Sequence, residues 1–290
     1  MAISWSMHIA VVASWAIDMQ DGVRTIALLV SYFGPGFKGY AKQPNRRTVQ
    51  HELESAWFEL TGENVDMLAS GRTDSGVHAF GQVVHFVTSN NFDATRISRS
   101  LNSQFDDDLV VRESVEVAPK FHASESAVLK HYVYRIATGH APPVLDRFTC
   151  EWVPQQLDIA AMRNASQFFL GTHDFESFAA AGRTTSTTVR TVTNMHIQLQ
   201  RGRILIHVRG TGFLYKMVRN MVGSLLEVGR QRRPAEWIGE LLIQGDRNLA
   251  GATAAAKGLT LYRVHYLEEP FSQLHKPAPQ RYPKANPNSE

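Results

Sequence analysis

The sequence predicts an α+β fold made of two similar halves with a cleft between them. Strand-like and helix-like runs alternate from residue 24 to residue 267, and the runs after residue 120 repeat the plan of the runs before it. The 290 residues are 43% apolar and 20% charged, the balance of a globular protein, which excludes a chain that is disordered as a whole. The length alone gives a prior of about two domains.

The first half is expected to cover residues 22–120. Apolar residues alternate over residues 24–32, which predicts a strand. Apolar residues at helical spacing from Thr48 to Leu60 predict a helix, and Gly62 is placed to end it. A glycine-punctuated loop then leads into a β-rich run from Gln82.

The second half is expected to cover residues 121–267. Strands are predicted over residues 130–137 and 203–209, and a helix over residues 158–170, closed by Gly171. The clearest helix begins at Leu214, where apolar residues follow the i, i+3, i+4 rule for three turns until Gly229 can stop it.

The two ends of the sequence differ from the region between them. Residues 1–21 are predicted to be a disordered N-terminal extension and not a signal peptide, because no Lys or Arg precedes their apolar run; Met7 and Met19 are alternative initiators. Residues 268–290 are proline-rich and polar, which predicts a loosely held tail. No run reaches the ~18 uncharged apolar residues of a membrane span, so we expect no membrane association.

Composition and short motifs exclude several kinds of functional site. The net charge is +3, a mild basic bias that fits a polyanionic partner but decides little alone. Cys150 is the only cysteine, which excludes an internal disulfide and a cysteine-based zinc site and favours a reducing compartment. The histidines form no dense cluster with metal spacing, and no phosphate-binding glycine motif is present, so we expect neither a metal nor a nucleotide cofactor.

The most unusual local sequence is SGRTDSGVHAFGQVVHF, residues 70–86. Gly71 and Gly76 bracket a tight turn that holds Arg72 and Asp74 at fixed positions. An Asx turn to the backbone is the ordinary explanation for such an aspartate. A glycine-flanked turn carried on strands also permits close approach of a ligand, so Asp74 is a candidate catalytic carboxylate.

Other candidates have an ordinary and a functional interpretation. Arg219 borders the apolar stripe of the helix from Leu214; it is either a solvated arginine or a partner that favours the ionised form of Asp74. Tyr132 shares one strand face with Tyr134, which indicates core packing or stacking on a base. Lys38 and Lys42 lie in a loop with interleaved aromatic residues, which suits a solvated loop or contact with phosphate.

Two separated blocks resemble the tRNA pseudouridine synthase A family. They are GRTDSGVHAFGQVVHF from Gly71 and FLYKMVRNMVGSLLEVG over residues 213–229. Shorter agreements include KHYVYRI at Lys130, GTHDFESF at Gly171 and AKGLTLYRVHY at Ala256, so the similarity spans roughly residues 24–267.

The resemblance implies a fold, a reaction and roles for individual residues. The fold would be two RRM-like (ferredoxin-like) halves with mainly antiparallel sheets joined into one central sheet. The protein would be a cytoplasmic homodimer that needs no cofactor and converts uridine to pseudouridine in the anticodon stem-loop of tRNA, at positions 38–40. The resemblance gives the following roles: Asp74 as catalytic aspartate, Arg219 as its partner, Tyr132 as the tyrosine that stacks on the base, Arg72 as the arginine of RNA positioning and base extrusion, and Leu259 as a pocket leucine.

The sequence departs from the family pattern at four positions. Phe33 replaces an aspartate, Tyr40 and Ala41 stand where Trp-Gln is usual, and Ser124 stands where an arginine is common. These changes affect segments expected to contact or support RNA and leave the Asp74 motif intact. They therefore bear on the choice of target uridine more than on the reaction.

Three functions agree with these observations. The first is a tRNA-uridine isomerase with Asp74 as the essential group. The second is an RNA-binding protein on the same scaffold without catalysis. The third is a nucleoside hydrolase, which would release free uracil where an isomerase retains it. Retention of Asp74, Tyr132 and Arg219 together favours the isomerase.

Overall fold

A ten-stranded sheet runs through the part of the protein that the computed structural model describes, residues 22–182 and 186–272. Its strands are β1 Arg24–Tyr32, β2 Leu68–Ala69, β3 His78–Thr88, β4 Leu109–Val117, β5 Ala127–Thr138, β6 Glu151–Val153, β7 Gly171–Asp174, β8 Val189–Gln200, β9 Arg203–Gly210 and β10 Leu259–Tyr266. The α-helices are α1 Val49–Thr61, α2 Ala94–Asn102, α3 Ile159–Ser166, α4 Met217–Gly229 and α5 Trp237–Gln244. The predicted α+β class is confirmed.

The sheet is mixed but mainly antiparallel. Its strand order is β4-β1-β3-β10-β5-β9-β8-β7, with β2 paired to β3 and β6 paired to β5. The parallel pairs are β3 with β10 and β5 with β6. Strands from before residue 120 and from after it therefore form one continuous sheet, as expected.

The same strand order occurs twice. Before residue 120, β4, β1, β3 and β2 follow one another across the sheet. After residue 120, β10, β5, β9 and β8 also follow one another, and in both sets the order is the last strand, the first, the third and the second. Each set is interrupted by helices, α1 and α2 in the first and α3 to α5 in the second.

The two sets join where β3 and β10 run side by side. Thr260 pairs with His78 and Leu261 with Ala79. Parallel neighbours begin at the same edge of a sheet. The segment before β3, which contains Asp74, is therefore brought beside the start of β10.

The predicted helix α1 is confirmed. Val49, Leu53 and Trp57 are fully buried, as their helical spacing predicts. Gly62 adopts φ +74° and donates its N–H to the Phe58 carbonyl, which ends the helix as expected.

Three element boundaries differ from the sequence prediction. Strand β3 begins at His78 and not at Gln82, because its first residues pair with β10 from the far end of the chain. The α-helical part of α3 ends at Ser166 and a 3₁₀ turn continues to Phe169. Helix α4 begins at Met217 and not at Leu214, because Lys216 adopts a left-handed φ of +58° that a helix cannot contain.

Helix α4 ends at Gly229, as predicted, with this glycine as its last helical residue and Arg230 as the C-cap. A Cβ at this position would lie 2.6 Å from the Met162 sulfur. The glycine therefore permits close packing of α4 against α3.

The first residues of the expected loose tail, 268–272, are held against the fold. Phe271 is buried, and the carboxylate of Glu269 pairs with Arg263 at 3.2 Å. Packing and charge thus hold the chain to residue 272. The extension over residues 1–21 and the rest of the tail, residues 273–290, lie outside the described residues.

Candidate active site

The segment between β2 and β3 carries Asp74 and is fixed by buried polar side chains. Gln82 of β3 donates its amide to the Gly71 carbonyl at 2.8 Å and accepts from the Ser70 hydroxyl at 2.7 Å. The Thr73 and Tyr32 hydroxyls lie 2.7 Å apart in a hydrogen bond. Burial raises the pKa of Tyr32 to about 12 despite hydrogen bonds to Thr73 and Gln82, so this phenol stays neutral.

Glycines let the backbone pass close to this segment. The Asp74 carbonyl accepts from the Val77 N–H at 3.1 Å, which closes a turn that contains Gly76 at φ +81°. Gly39 has φ +93°, and a Cβ there would lie 2.7 Å from the Thr73 carbonyl oxygen. Only glycine fits this position without strain.

Arg219 meets Asp74, as predicted. One guanidinium nitrogen, Nη1, lies 2.8 Å from Asp74 Oδ2, and Nε donates to the Ala254 carbonyl at 2.8 Å. The two side chains are 13% and 14% exposed, so water screens their interaction only partly. The carboxylate is thus oriented by a guanidinium that is itself fixed at a second point.

Tyr132 lies in the same cavity wall. It is 9% exposed and packs edge-on against Phe213, with ring centroids 5.2 Å apart. Burial, followed by electrostatic interactions with Tyr32 and Asp74, raises its pKa well above the usual value for tyrosine, so the phenol is neutral. Leu259, the first residue of β10, is buried nearby and also lines the cavity.

These residues border one cavity of about 850 Å³. Among the described residues that line it, six are cationic and Asp74 is the sole acid. The cations are Lys38, Arg46, Arg72, Lys130, Lys216 and Arg219. Such a surface suits a polyanion.

The structure brings most, but not all, of the predicted site residues together. Asp74, Arg219, Tyr132, Arg72, Leu259 and Lys38 line the cavity. Lys42 does not; its ammonium pairs with Glu54 at 2.6 Å on the side of α1. Both lysines were predicted to contact RNA because they belong to one basic loop. In the structure only Lys38 lines the cavity, and Lys42 lies beside α1.

Several cavity residues, among them Lys130 and Phe213, were not identified as site residues from the sequence. Lys130 stands two positions before Tyr132, so strand alternation places both side chains on one face. That spacing is the signal that could have revealed it. Phe213 lies outside regular structure, where no periodicity exists to locate it.

The four departures from the family pattern have different surroundings. Phe33 is half exposed and lies against the His78 ring, with centroids 5.1 Å apart. Tyr40 is buried and donates its hydroxyl to the Met67 carbonyl at 2.8 Å. Tyr40, Ala41 and Ser124 all line the cavity. Substrate choice is therefore open to influence from these three positions, and Tyr40 also supports the fold.

Residues 22–182 and 186–272 contain no group of three or more His, Cys, Asp or Glu side chains placed to hold a metal ion. Over the same residues, none of the helices combines the length and hydropathy needed to cross a bilayer.

Comparison with known proteins gives a consistent result. The sequence model of the family described as "tRNA pseudouridine synthase" matches residues 28–124 and 165–267. The chain is 46% identical over 242 residues to the tRNA pseudouridine synthase A of Shouchella clausii, which covers 83% of this chain and 93% of that protein. It is 42% identical over 244 residues to the tRNA pseudouridine synthase A 2 of Clostridium perfringens, covering 84% and 100% of the two chains.

A third relative, the tRNA pseudouridine synthase A of Geobacillus kaustophilus, is 42% identical over 247 residues, which is 85% of this chain and 96% of that protein. The matches extend over nearly the full length of these relatives and include both halves of the sheet. The chain therefore belongs to the tRNA pseudouridine synthase A family.

Proposed function

We propose that this protein converts uridine to pseudouridine in the anticodon stem-loop of tRNA, at positions 38–40, with Asp74 as the essential carboxylate. The observation that carries the proposal is the Asp74–Arg219 pair, 2.8 Å apart, in a cavity lined by six cations. The reaction breaks the N1–C1′ bond, turns the base and joins C5 to C1′. C5 loses its hydrogen and N1 gains one, so no redox partner or group donor is needed.

A single carboxylate suits this chemistry. Asp74 can add covalently to the base or the sugar, or stabilise the cleaved state; each route uses one anionic oxygen held close to the uridine. Arg219 holds the carboxylate in one orientation through its second hydrogen bond to Ala254. Fixed orientation of this kind favours reaction over simple binding.

The other cavity residues fit the handling of an RNA base. Arg72 is exposed two residues from Asp74 and makes no ion pair with the residues that the structure describes, so it is available to fill the gap left by an extruded base. Tyr132 presents a neutral aromatic ring on which uracil can stack, and Leu259 adds an apolar contact. Lys38 lies at the exposed rim, where a phosphate backbone would pass.

We further infer that the repeated strand order reflects two RRM-like halves, residues 22–120 and 121–267, and that the protein acts as a cytoplasmic homodimer. The order last-first-third-second in each set supports the first inference, and family membership supports the second. Sedimentation equilibrium at micromolar concentration should give the mass of two chains; the mass of one would contradict the dimer.

Mapping of the modified nucleotides tests the activity. Unmodified tRNA transcripts are incubated with the wild type, Asp74→Ala and Asp66→Ala, and pseudouridine is located by carbodiimide-dependent primer-extension stops. Asp66 is a matched control because its side chain is 84% exposed and outside the cavity. We expect stops with the wild type and Asp66→Ala and none with Asp74→Ala.

The other candidate functions predict different results. A binding protein without catalysis gives no stops with any transcript. A nucleoside hydrolase releases free uracil, which chromatography of the reaction mixture detects. Stops that persist in Asp74→Ala would reject Asp74 as the essential group.

A further inference from the structure

Lys130 is a half-buried lysine in the wall of the cavity, on strand β5. Its ammonium donates to the Ser70 carbonyl at 2.5 Å and lies 3.4 Å from where a Cβ on Gly71 would stand. A methyl group at position 71 would be in van der Waals contact with this ammonium. The lysine is therefore packed directly against the segment that carries Asp74.

The charge of Lys130 has no anionic partner among residues 22–182 and 186–272. Asp74, the acid of the cavity wall, pairs with Arg219. Burial, with the nearby charge of Arg190, lowers the pKa of Lys130 to about 8. An ammonium has three donors, and the Ser70 carbonyl occupies one of them. The surroundings thus disfavour this charge until an anion arrives.

The position of Lys130 on the strand indicates which anion that is. Lys130 and Tyr132 are two residues apart on β5, so their side chains share a face about 7 Å apart along the strand. In a nucleotide, base and phosphate lie on opposite sides of one sugar. A base that stacks on Tyr132 with its sugar toward Lys130 therefore brings its own or the adjoining phosphate to this ammonium.

We propose that Lys130 binds the backbone phosphate next to the target uridine. The proposal rests on the proposed function and adds a residue to which the family resemblance gave no role. The Ser70 hydrogen bond gives the contact a second consequence. Ser70 precedes Asp74 by four residues on the same short segment. Lys130 would therefore contact both the phosphate and the backbone of the segment that carries Asp74.

The competing explanation is that Lys130 only stabilises the backbone through its hydrogen bond to the Ser70 carbonyl. Replacing a phosphate of the tRNA distinguishes this structural role from phosphate binding. tRNA is assembled by ligation with one methylphosphonate, which is neutral, either 5′ or 3′ of the target uridine. Single-turnover rates at subsaturating enzyme are measured for the wild type, Lys130→Gln and Lys130→Arg with these tRNAs and with unmodified tRNA. Thermal melting confirms that each variant is folded.

A direct contact predicts non-additive losses. Wild type should lose about tenfold or more in rate at one of the two positions, the effect of removing a charged hydrogen bond. Lys130→Gln should show a similar loss with unmodified tRNA and little further loss with that methylphosphonate. Lys130→Arg keeps a cation and should stay sensitive to the methylphosphonate.

The control is Lys38→Gln, which removes a cation at the exposed rim of the same cavity. The loss of single-turnover rate caused by Lys38→Gln should multiply with the loss of rate caused by the methylphosphonate. Multiplicative losses for Lys130→Gln at both positions, or a wild type insensitive at both, would overturn the phosphate contact. A wild type that forms no pseudouridine on unmodified tRNA would instead reject the proposed function, so the two failures are distinguishable.

Discussion

Arg219 is held at two points, and this double attachment explains why its shape matters as well as its charge. Nη1 contacts Asp74 and Nε contacts the Ala254 carbonyl, both at 2.8 Å. Lysine carries the same charge on one nitrogen and cannot reproduce this planar arrangement. The residue therefore acts by fixing the carboxylate relative to the cavity.

Replacing Arg219 by lysine should lower turnover much more than affinity. We expect Arg219→Lys to lose about tenfold or more in single-turnover rate, because a charge-assisted hydrogen bond is lost, with tRNA affinity changed little. Saturating single-turnover rates and filter binding measure the two effects. Arg230→Lys is the control: it alters a salt bridge to Glu227 near the other end of the helix, outside the cavity, and should react at the wild-type rate. Normal turnover by Arg219→Lys would contradict this role.

The sequence revealed residues with a distinctive local context and missed those without one. Asp74 and Arg219 were predicted from a glycine-flanked turn and a helical stripe, and their pairing is confirmed by the structure. Lys42 was assigned to the RNA surface from loop composition, but Glu54 pairs with it on α1. Such a pairing depends on how the loop turns back on the helix, which composition does not encode.

At the scale of elements, the segment before β3 depends on backbone conformations that few residues adopt. Gly39 combines φ +93° with a close approach to the Thr73 carbonyl, and Gly76 supplies φ +81° in the turn after Asp74. Gly39 belongs to the loop after β1, whereas Gly76 belongs to the segment that carries Asp74. Two loops therefore support each other at the site.

Gly39→Ala should impair both folding and turnover. The added methyl would meet the Thr73 carbonyl 2.7 Å away and push the neighbouring Asp74 out of position. Gly62→Ala is the matched control, since Gly62 also has a positive φ of +74° but no atom within 4 Å of the added methyl. We expect both variants to lose about 1 kcal/mol or more of stability from backbone strain, and Gly39→Ala alone to lose turnover.

Thermal melting and single-turnover rates check this pair. A stability loss of about 1 kcal/mol should lower Tm by a few degrees in a protein of this size. Equal turnover in the two variants would show that the close approach of Gly39 to Thr73 does not position Asp74.

Element boundaries were predictable where local sequence determines them. The end of α1 follows from Gly62, and the N-terminus of α3 from Asp158, whose side chain accepts from the Ala161 N–H at 2.9 Å. The start of β3 was not predictable, because its partner β10 lies about 180 residues later in the chain. The start of α4 was missed because Lys216 takes a left-handed conformation that is uncommon for lysine.

At the scale of the whole molecule, the sheet brings together groups that are distant in sequence. Asp74 comes from the segment before β3 and Arg219 from α4, 145 residues later. The junction of β3 with β10 carries this arrangement. The order of the strands across the sheet could not be derived from periodicity, which gives elements and not their neighbours.

We expect the cations that line the cavity to contribute to the salt dependence of tRNA binding. The slope of log K against log salt is negative, and each phosphate contact that is lost reduces its magnitude by about 1. We expect this change for Lys38→Gln and Arg72→Gln, which line the cavity. Lys42→Gln should leave the slope unchanged, because Lys42 pairs with Glu54 outside it.

Filter binding over a range of salt concentrations measures these slopes. A reduced slope for Lys42→Gln would show that RNA reaches the α1 side of the loop. Unchanged slopes for Lys38→Gln and Arg72→Gln would show that the backbone of tRNA does not pass along this cavity.

The most direct measurement uses tRNA labelled with tritium at C5 of uridine, because isomerisation replaces the C5–H bond and releases the label. We predict that the wild type releases tritium from tRNA. Asp74→Asn should release none while binding tRNA at least as tightly, since it removes one negative charge from a cation-lined cavity. Release by Asp74→Asn at a rate within about tenfold of the wild type would contradict a reaction that depends on this carboxylate.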